Sequence, residues 1–148
     1  MNILILNGPN LNLLGRRTPS VYGNVSMETI LLDLQRTYPD VYLHYEQTNH
    51  EGTLIDLLQQ AAVEPQYEGV ILNAGGYAHT SVALRDAVEY LKEQGVPLVE
   101  MHISDIYARE DFRRIDLLAP VAAHTIVGHG TQGYKEALAW ILSSKHKD

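Results

Sequence analysis

Apolar positions along this chain switch between two periods. Asn2 to Leu6 is a short apolar run that reads as a first strand. Met27, Ile30, Leu31 and Leu34 then recur at helical spacing, with Ser26 placed to cap and Glu28 in the first turn. Val41, Leu43 and Tyr45 alternate with polar neighbours and predict a second strand. Leu54, Ile55, Leu58 and Ala61 mark a second helix, and Gly69 to Asn73 a third, buried strand. Thr80 or Ser81 is placed to cap a third helix with the stripe Leu84, Ala87, Val88 and Leu91. Gly95 ends that helix and Pro97 prevents its continuation. Leu98 to His102 predicts strand four, and a short helix is expected over residues 109–114. His124 to Val127 predicts strand five. Tyr134, Ala137, Leu138 and Ile141 make the last helix.

Strands that alternate with helices, with no hairpin signal between them, predict an α/β domain: a five-stranded parallel sheet with helices on both faces. The common doubly wound order for five strands is 2-1-3-4-5. Ligands in such folds bind beyond the carboxyl ends of the strands, where the strand order reverses. That order predicts convergence of Asn7 and Asn10, residues 73 to 79, and His102 with Ser104. The 148 residues are read as one catalytic domain, 1–148, long enough for its own core.

The connection after strand one is long. It runs from Asn7 to Gly23 and mixes Gly, Pro and Asn with Leu11, Leu13, Leu14 and Val21. Loops of this length within a domain are uncommon, and this one is too apolar for a solvated linker. It reads as a lid over residues 16–24. Tyr22 in it is either a packing tyrosine, as most of the nine are, or a general base. A phenol with an ordinary pKa near ~10 serves as a base at neutral pH only if cations stabilise the phenolate. Arg16 and Arg17 are at hand. His102, either a surface histidine like others of the seven or a functional one, ends strand four, and Glu100, two residues earlier, points the same way. A carboxylate there fixes the tautomer of the imidazole and supports its protonated form. Residues 73–81 are either a capped turn or, through glycines and a helix start, an anion site.

Composition narrows the classes. There is no cysteine, which excludes disulfides, thiolate catalysis and thiolate-bound metals. A formal charge of −7 argues against a nucleic-acid binder, while local arginines still suit a small anion. No signal-peptide pattern and no apolar run near ~18 residues is seen, so no membrane association is expected. His79, His102, His124 and His129 lack the spacing of a ligand pair, and no metal is expected. No P-loop and no GxSxG elbow is present, and Ser81 is better explained as a cap. The acidic cluster of a response regulator is missing after strand one.

Taken together, these residues closely resemble the type II 3-dehydroquinate dehydratases over essentially the whole chain. The matching segments are Asn7 to Gly15, then Arg17, Pro19 and Tyr22-Gly23, then Asn49 to Gly52 with Leu54-Ile55-Asp56. They continue with Asn73-Ala74-Gly75, His79-Thr80-Ser81, Ala83 to Asp86, Glu100, and His102-Ile103-Ser104. Arg109-Glu110, Phe112-Arg113, Gly128, Gly130 and Gly133-Tyr134 complete the set. The resemblance implies a flavodoxin-like fold and a cofactor-free, metal-free anti elimination of water from 3-dehydroquinate through an enolate, giving 3-dehydroshikimate. By position it implies Tyr22 as base, Arg17 holding the phenolate, and Asn10 placing a water at the enolate. His102 is implied as the acid and Glu100 as its orienting partner. Asn73, His79, Ile103, Ser104 and Arg113 are implied as substrate contacts, and Asp86 as a contact supplied by a neighbouring subunit. A cytoplasmic homo-oligomer, a dodecamer built of trimers, is implied as well. A non-catalytic small-anion binding module is the alternative, which the intact base and acid argue against.

Four positions depart from the family pattern. Thr18 stands where Glu or Gln is frequent, Asp105 where Asn is usual, Asp116 where Ser is common, and Met101 where Val is common. None removes a catalytic group. Asp105 adds negative charge near an anion site and would weaken binding unless it is turned away or paired.

Overall fold

Three of the apolar runs are buried on both faces, and this sets the architecture. The computed structural model describes residues 1–16, 20, 24–63 and 67–146. Strands β1 (Asn2–Asn7), β3 (Gly69–Asn73) and β4 (Leu98–His102) are almost wholly buried. Strands β2 (Tyr42–Gln47) and β5 (His124–Val127) form the two more open edges. The sheet order is β2-β1-β3-β4-β5, and every neighbouring pair is parallel. Continuous apolar runs are what a doubly covered parallel sheet requires, so these strands show no alternation.

Helices α1 (Met27–Thr37) and α4 (Gln132–His146) cover one face, and α2 (Glu51–Val63) and α3 (Val82–Glu93) the other. Successive side chains of a strand point to opposite faces. Ile3 and Ile5 therefore join Met27, Leu34, Ile71, Leu138 and Ile141 in one core layer. Leu4 and Leu6 join Leu54, Leu58, Leu72, Leu84 and Leu91 in the other. Ser26 caps α1, its Oγ accepting from the Thr29 amide at 3.3 Å. Ser81, not Thr80, caps α3, accepting from the Leu84 amide at 2.9 Å. That buried bond explains Ser81 without nucleophilic chemistry.

The expected helix over 109–114 is instead two tight 3-10 turns, Ile106–Ala108 and Asp111–Arg114. The second buries no residue, so no apolar face supports its extension into an α-helix. Asp105 initiates the first turn, its Oδ1 accepting from the Tyr107 amide at 3.0 Å.

Candidate active site

The loops after β1, β3 and β4 wall a cleft at the carboxyl end of the sheet. Asn10, Asn73, His79, His102, Ile103, Ser104 and Arg113 line it, together with Arg109 and Gly75. The polar residues expected to converge do so, with one correction. Asn7 is fully buried beneath the cleft, where its Oδ1 accepts a 2.7 Å hydrogen bond from the Tyr134 hydroxyl. Asn73 Nδ2 donates to the same hydroxyl at 3.3 Å, and its Oδ1 accepts from the Gly75 amide at 3.3 Å. The Asn73 side chain is thus fixed from both ends.

Backbone geometry brings the first and third loops together. A Cβ on Gly8 would lie 2.6 Å from the Ala74 carbonyl oxygen, so only glycine permits this approach. Asn10 has φ 70°, a left-handed conformation that Asn tolerates better than most residues. Its amide donates to Asn49 Oδ1 at 3.0 Å, while Gln47 Nε2 donates to the Gly8 carbonyl at 3.1 Å. Backbone held in a sparsely populated region at a cleft is characteristic of functional sites.

His102 and Glu100 form the chemical centre. His102 Nε2 lies 2.8 Å from Glu100 Oε2, and both side chains are almost completely buried. Thr125 Oγ1 donates to the other Glu100 oxygen at 3.3 Å. Asp116 Oδ2 lies 3.4 Å from the same Nε2. Burial disfavours the imidazolium, but Asp116 and Glu100 outweigh it and push the His102 pKa up to about 9. Burial raises Glu100, His102 pulls it down and Asp116 raises it again, leaving it at about 7. Burial also opposes ionisation of Asp116, yet His102 and Glu100 hold that carboxyl below its ordinary value. At neutral pH the cleft therefore presents a protonated imidazole. With Nε2 turned to the carboxylates, Nδ1 is the nitrogen left for a substrate.

The other cleft groups suit a polyhydroxylated anion. His79 Nδ1 lies 2.8 Å from the Ile115 carbonyl, which makes Nδ1 the protonated nitrogen; the ring stacks on His102 at 5.9 Å. Arg109 Nη1 donates to Ser104 Oγ at 3.2 Å. Arg113 Nε donates to Glu110 Oε2 at 2.8 Å, with the guanidinium over the Phe112 ring. Asp105 does not line the cleft, and its carboxylate is spent on the Tyr107 amide. Asp86 is exposed on α3 and is likewise absent from this cleft. Arg17, Thr18 and Tyr22, and most of the expected lid, lie outside the described residues.

Sequence reasoning placed neither Arg109 nor Asp116 in the site. Arg109 had its place in the matched motif as its signal, and Asp116 its departure from the pattern. Of the four histidines only His79 and His102 meet, as stacked rings; His124 stacks on Trp140 at 5.1 Å and His129 pairs with Glu136. Among the described residues, Glu100, His102 and Asp116 alone bring three such donor atoms within 4.8 Å. The 2.8 Å contact between His102 and Glu100 has the length of a charge-assisted hydrogen bond.

Comparison with known proteins agrees with this geometry. The family model described as Dehydroquinase class II matches residues 1–142. The chain belongs to the class II dehydroquinases. A dehydroquinase relative from an Exiguobacterium species, a 3-dehydroquinate dehydratase, is 52% identical over 139 residues, covering 93% of this chain and 92% of that protein. The 3-dehydroquinate dehydratase of Bacillus subtilis is 44% identical over 146 residues, covering 97% and 95%. The crystal structure of the type II dehydroquinase from Butyrivibrio crossotus superposes with a TM-score of 0.88 at 37% identity, covering 95% of this chain and 97% of that one. The all-parallel 2-1-3-4-5 sheet is the dehydroquinase fold.

Proposed function

We propose that the chain is a hydro-lyase that converts 3-dehydroquinate to 3-dehydroshikimate by anti elimination through an enolate, in the shikimate pathway. The observation that carries this reading is the buried Glu100–His102 pair, whose imidazole lines a cleft built by the loops after β1, β3 and β4. Membership of the dehydroquinases supplies the reaction. The binding-module alternative is not favoured, because a protein that only binds has no use for a buried, protonated acid.

Removing a proton next to a ketone creates an enolate, so the reaction needs a base, an oxyanion stabiliser and an acid on the opposite side. Tyr22 takes the proton as a phenolate held by Arg17. Asn10 positions a water at the enolate oxygen. The enolate collapses, the carbon–oxygen bond breaks, and His102 delivers its proton so that the hydroxyl leaves as water. Glu100 keeps the imidazole oriented and charged. Asn73, His79, Ser104 and Arg113 bind the ring hydroxyls and carboxylate, with the Ile103 and Ser104 amides facing the carboxylate. Asp86, exposed on α3, serves the cleft of a neighbouring subunit in a dodecamer of trimers. The whole chain, 1–148, acts as one catalytic domain in the cytoplasm. This agrees with its described helices, none of which is long and apolar enough to cross a membrane.

The test is to add 3-dehydroquinate to chelator-treated protein and follow the ultraviolet absorbance of the conjugated enone product. A rise that survives chelation and is lost in Tyr22→Phe supports the assignment. A folded protein with no rise overturns it.

A further inference from the structure

Asp116 stands where the family commonly has serine, and its two carboxylate oxygens do different things. Oδ1 accepts from the amides of Leu118 at 3.0 Å and Ala119 at 3.3 Å, which anchors the side chain as a cap for the turn that follows. A serine hydroxyl can do the same. Oδ2 is the atom that serine lacks. It is buried, has no hydrogen-bond partner among the described residues, and lies 3.4 Å from His102 Nε2. The Nε2 proton is directed mainly to Glu100 at 2.8 Å, which leaves Asp116 Oδ2 the longer and weaker contact. The favourable interactions of the buried Asp116 carboxylate are therefore with the imidazolium and, when Glu100 carries a proton, with the Glu100 carboxyl. An unpartnered buried carboxylate oxygen is costly unless a charge compensates it.

We propose that Asp116 is a positioning residue for the acid: with Glu100 it encloses the His102 imidazolium between two carboxylates and keeps it protonated into the alkaline range. The assignment of His102 as acid rests on the dehydratase reading; the hold of Asp116 on the ring does not. The groups around His102 are Glu100 on its own strand, Asp116 from the segment after the 111–114 turn, and His79 stacked from the 75–79 turn. Arg109 and Arg113 share the cleft wall, and Tyr107 interacts electrostatically with Asp116 and Glu100. Of these, the two carboxylates alone favour the charged ring, so removing one weakens its hold on the proton. The raised pKa of His102, to which Asp116 contributes, agrees with this.

The test compares the native chain with Asp116→Ser and Asp116→Asn, both of which retain an acceptor for the Leu118 amide. The protein is labelled with 13C-histidine, and the His102 ring signal is assigned by its absence in His102→Asn. Its titration midpoint is expected to fall by ~1–3 pH units in both variants, the usual effect of losing one opposite charge. The alkaline limb of kcat/KM is expected to move the same way. A structural role alone would lower stability and leave both midpoints in place. Coincident midpoints in an active enzyme overturn the role of Asp116 alone. A shifted midpoint in a native chain that does not turn over 3-dehydroquinate overturns the dehydratase reading, and the acid role with it.

Discussion

Tyr134 in α4 and Asn7 at the end of β1 meet across 127 residues of chain, hydroxyl to amide oxygen, at 2.7 Å. The same hydroxyl accepts from Asn73, so one tyrosine closes the ends of β1 and β3 at the point where Asn7 and Asn73 pair in register. Burial pushes the Tyr134 hydroxyl well above its usual pKa, which keeps it a neutral donor at all working pH values. Tyr134→Phe removes one atom and leaves two buried amide groups short of a partner. It is expected to cost about 1–3 kcal/mol, read as a lower urea midpoint. If Asn73 binds substrate as proposed, KM rises as well. An unchanged midpoint would show that the three side chains are not coupled.

Tyr22→Phe should lower kcat by roughly 10²–10⁴, the range associated with a positioned acid or base. Affinity for a product-like ligand, measured by calorimetry, should change little, because the substitution removes only the hydroxyl. Turnover near the native rate would remove Tyr22 as the base.

Gly8→Ala places a methyl group 2.6 Å from the Ala74 carbonyl oxygen and 2.8 Å from its carbon, both backbone atoms. No side chain can turn aside to make room, so the loops carrying Asn10 and Asn73 must separate. The expected cost is about 1–3 kcal/mol of stability, as for other overpacked sites. A loss of kcat/KM should accompany it. A variant with native kinetics would mean that the close approach of the two loops is dispensable.

The parts of this fold that were legible in the sequence are those set by repeated, local physics. The limits of β3, β4 and β5 are legible: β3 is a buried apolar run, β4 begins after Pro97, and β5 is a short run with Thr125-Ile126-Val127 that Gly128 ends. Once the strand order is set, the gathering of Asn10, Asn73, His79, His102 and Ser104 follows from the carboxyl ends lying together. What was not legible depends on long-range paths. Asn7 is expected in the cleft but is buried and bonded to Tyr134, a residue that reads as one member of an apolar helix stripe. Asp116 reaches His102 only because two tight turns return the chain to the end of β4; its departure from the family pattern marks the position as unusual without indicating that path. The bond from Arg109 to Ser104 has the same origin.

Stability should fall as pH rises, and the buried cluster sets the window. His102 is raised from 6.5 to about 9 and Glu100 from 4.5 to about 7. Both bind protons more tightly in the folded chain than in the unfolded one. Stability therefore declines with rising pH wherever the folded state holds the extra proton. For Glu100 this spans roughly pH 4.5 to 7, and for His102 roughly pH 6.5 to 9. Asp116 has the opposite sign: its pKa lies below 3.8, so its contribution is present above that pH and is lost in stronger acid. Thermal unfolding should give a Tm at pH 9 that is lower than at pH 6 by ~4 °C or more. Asp116→Ser removes a charge that raises both of the other groups, so its Tm should depend less steeply on pH over the same range. A native Tm that is flat or rising from pH 6 to 9 would contradict a proton-bearing cluster at this site.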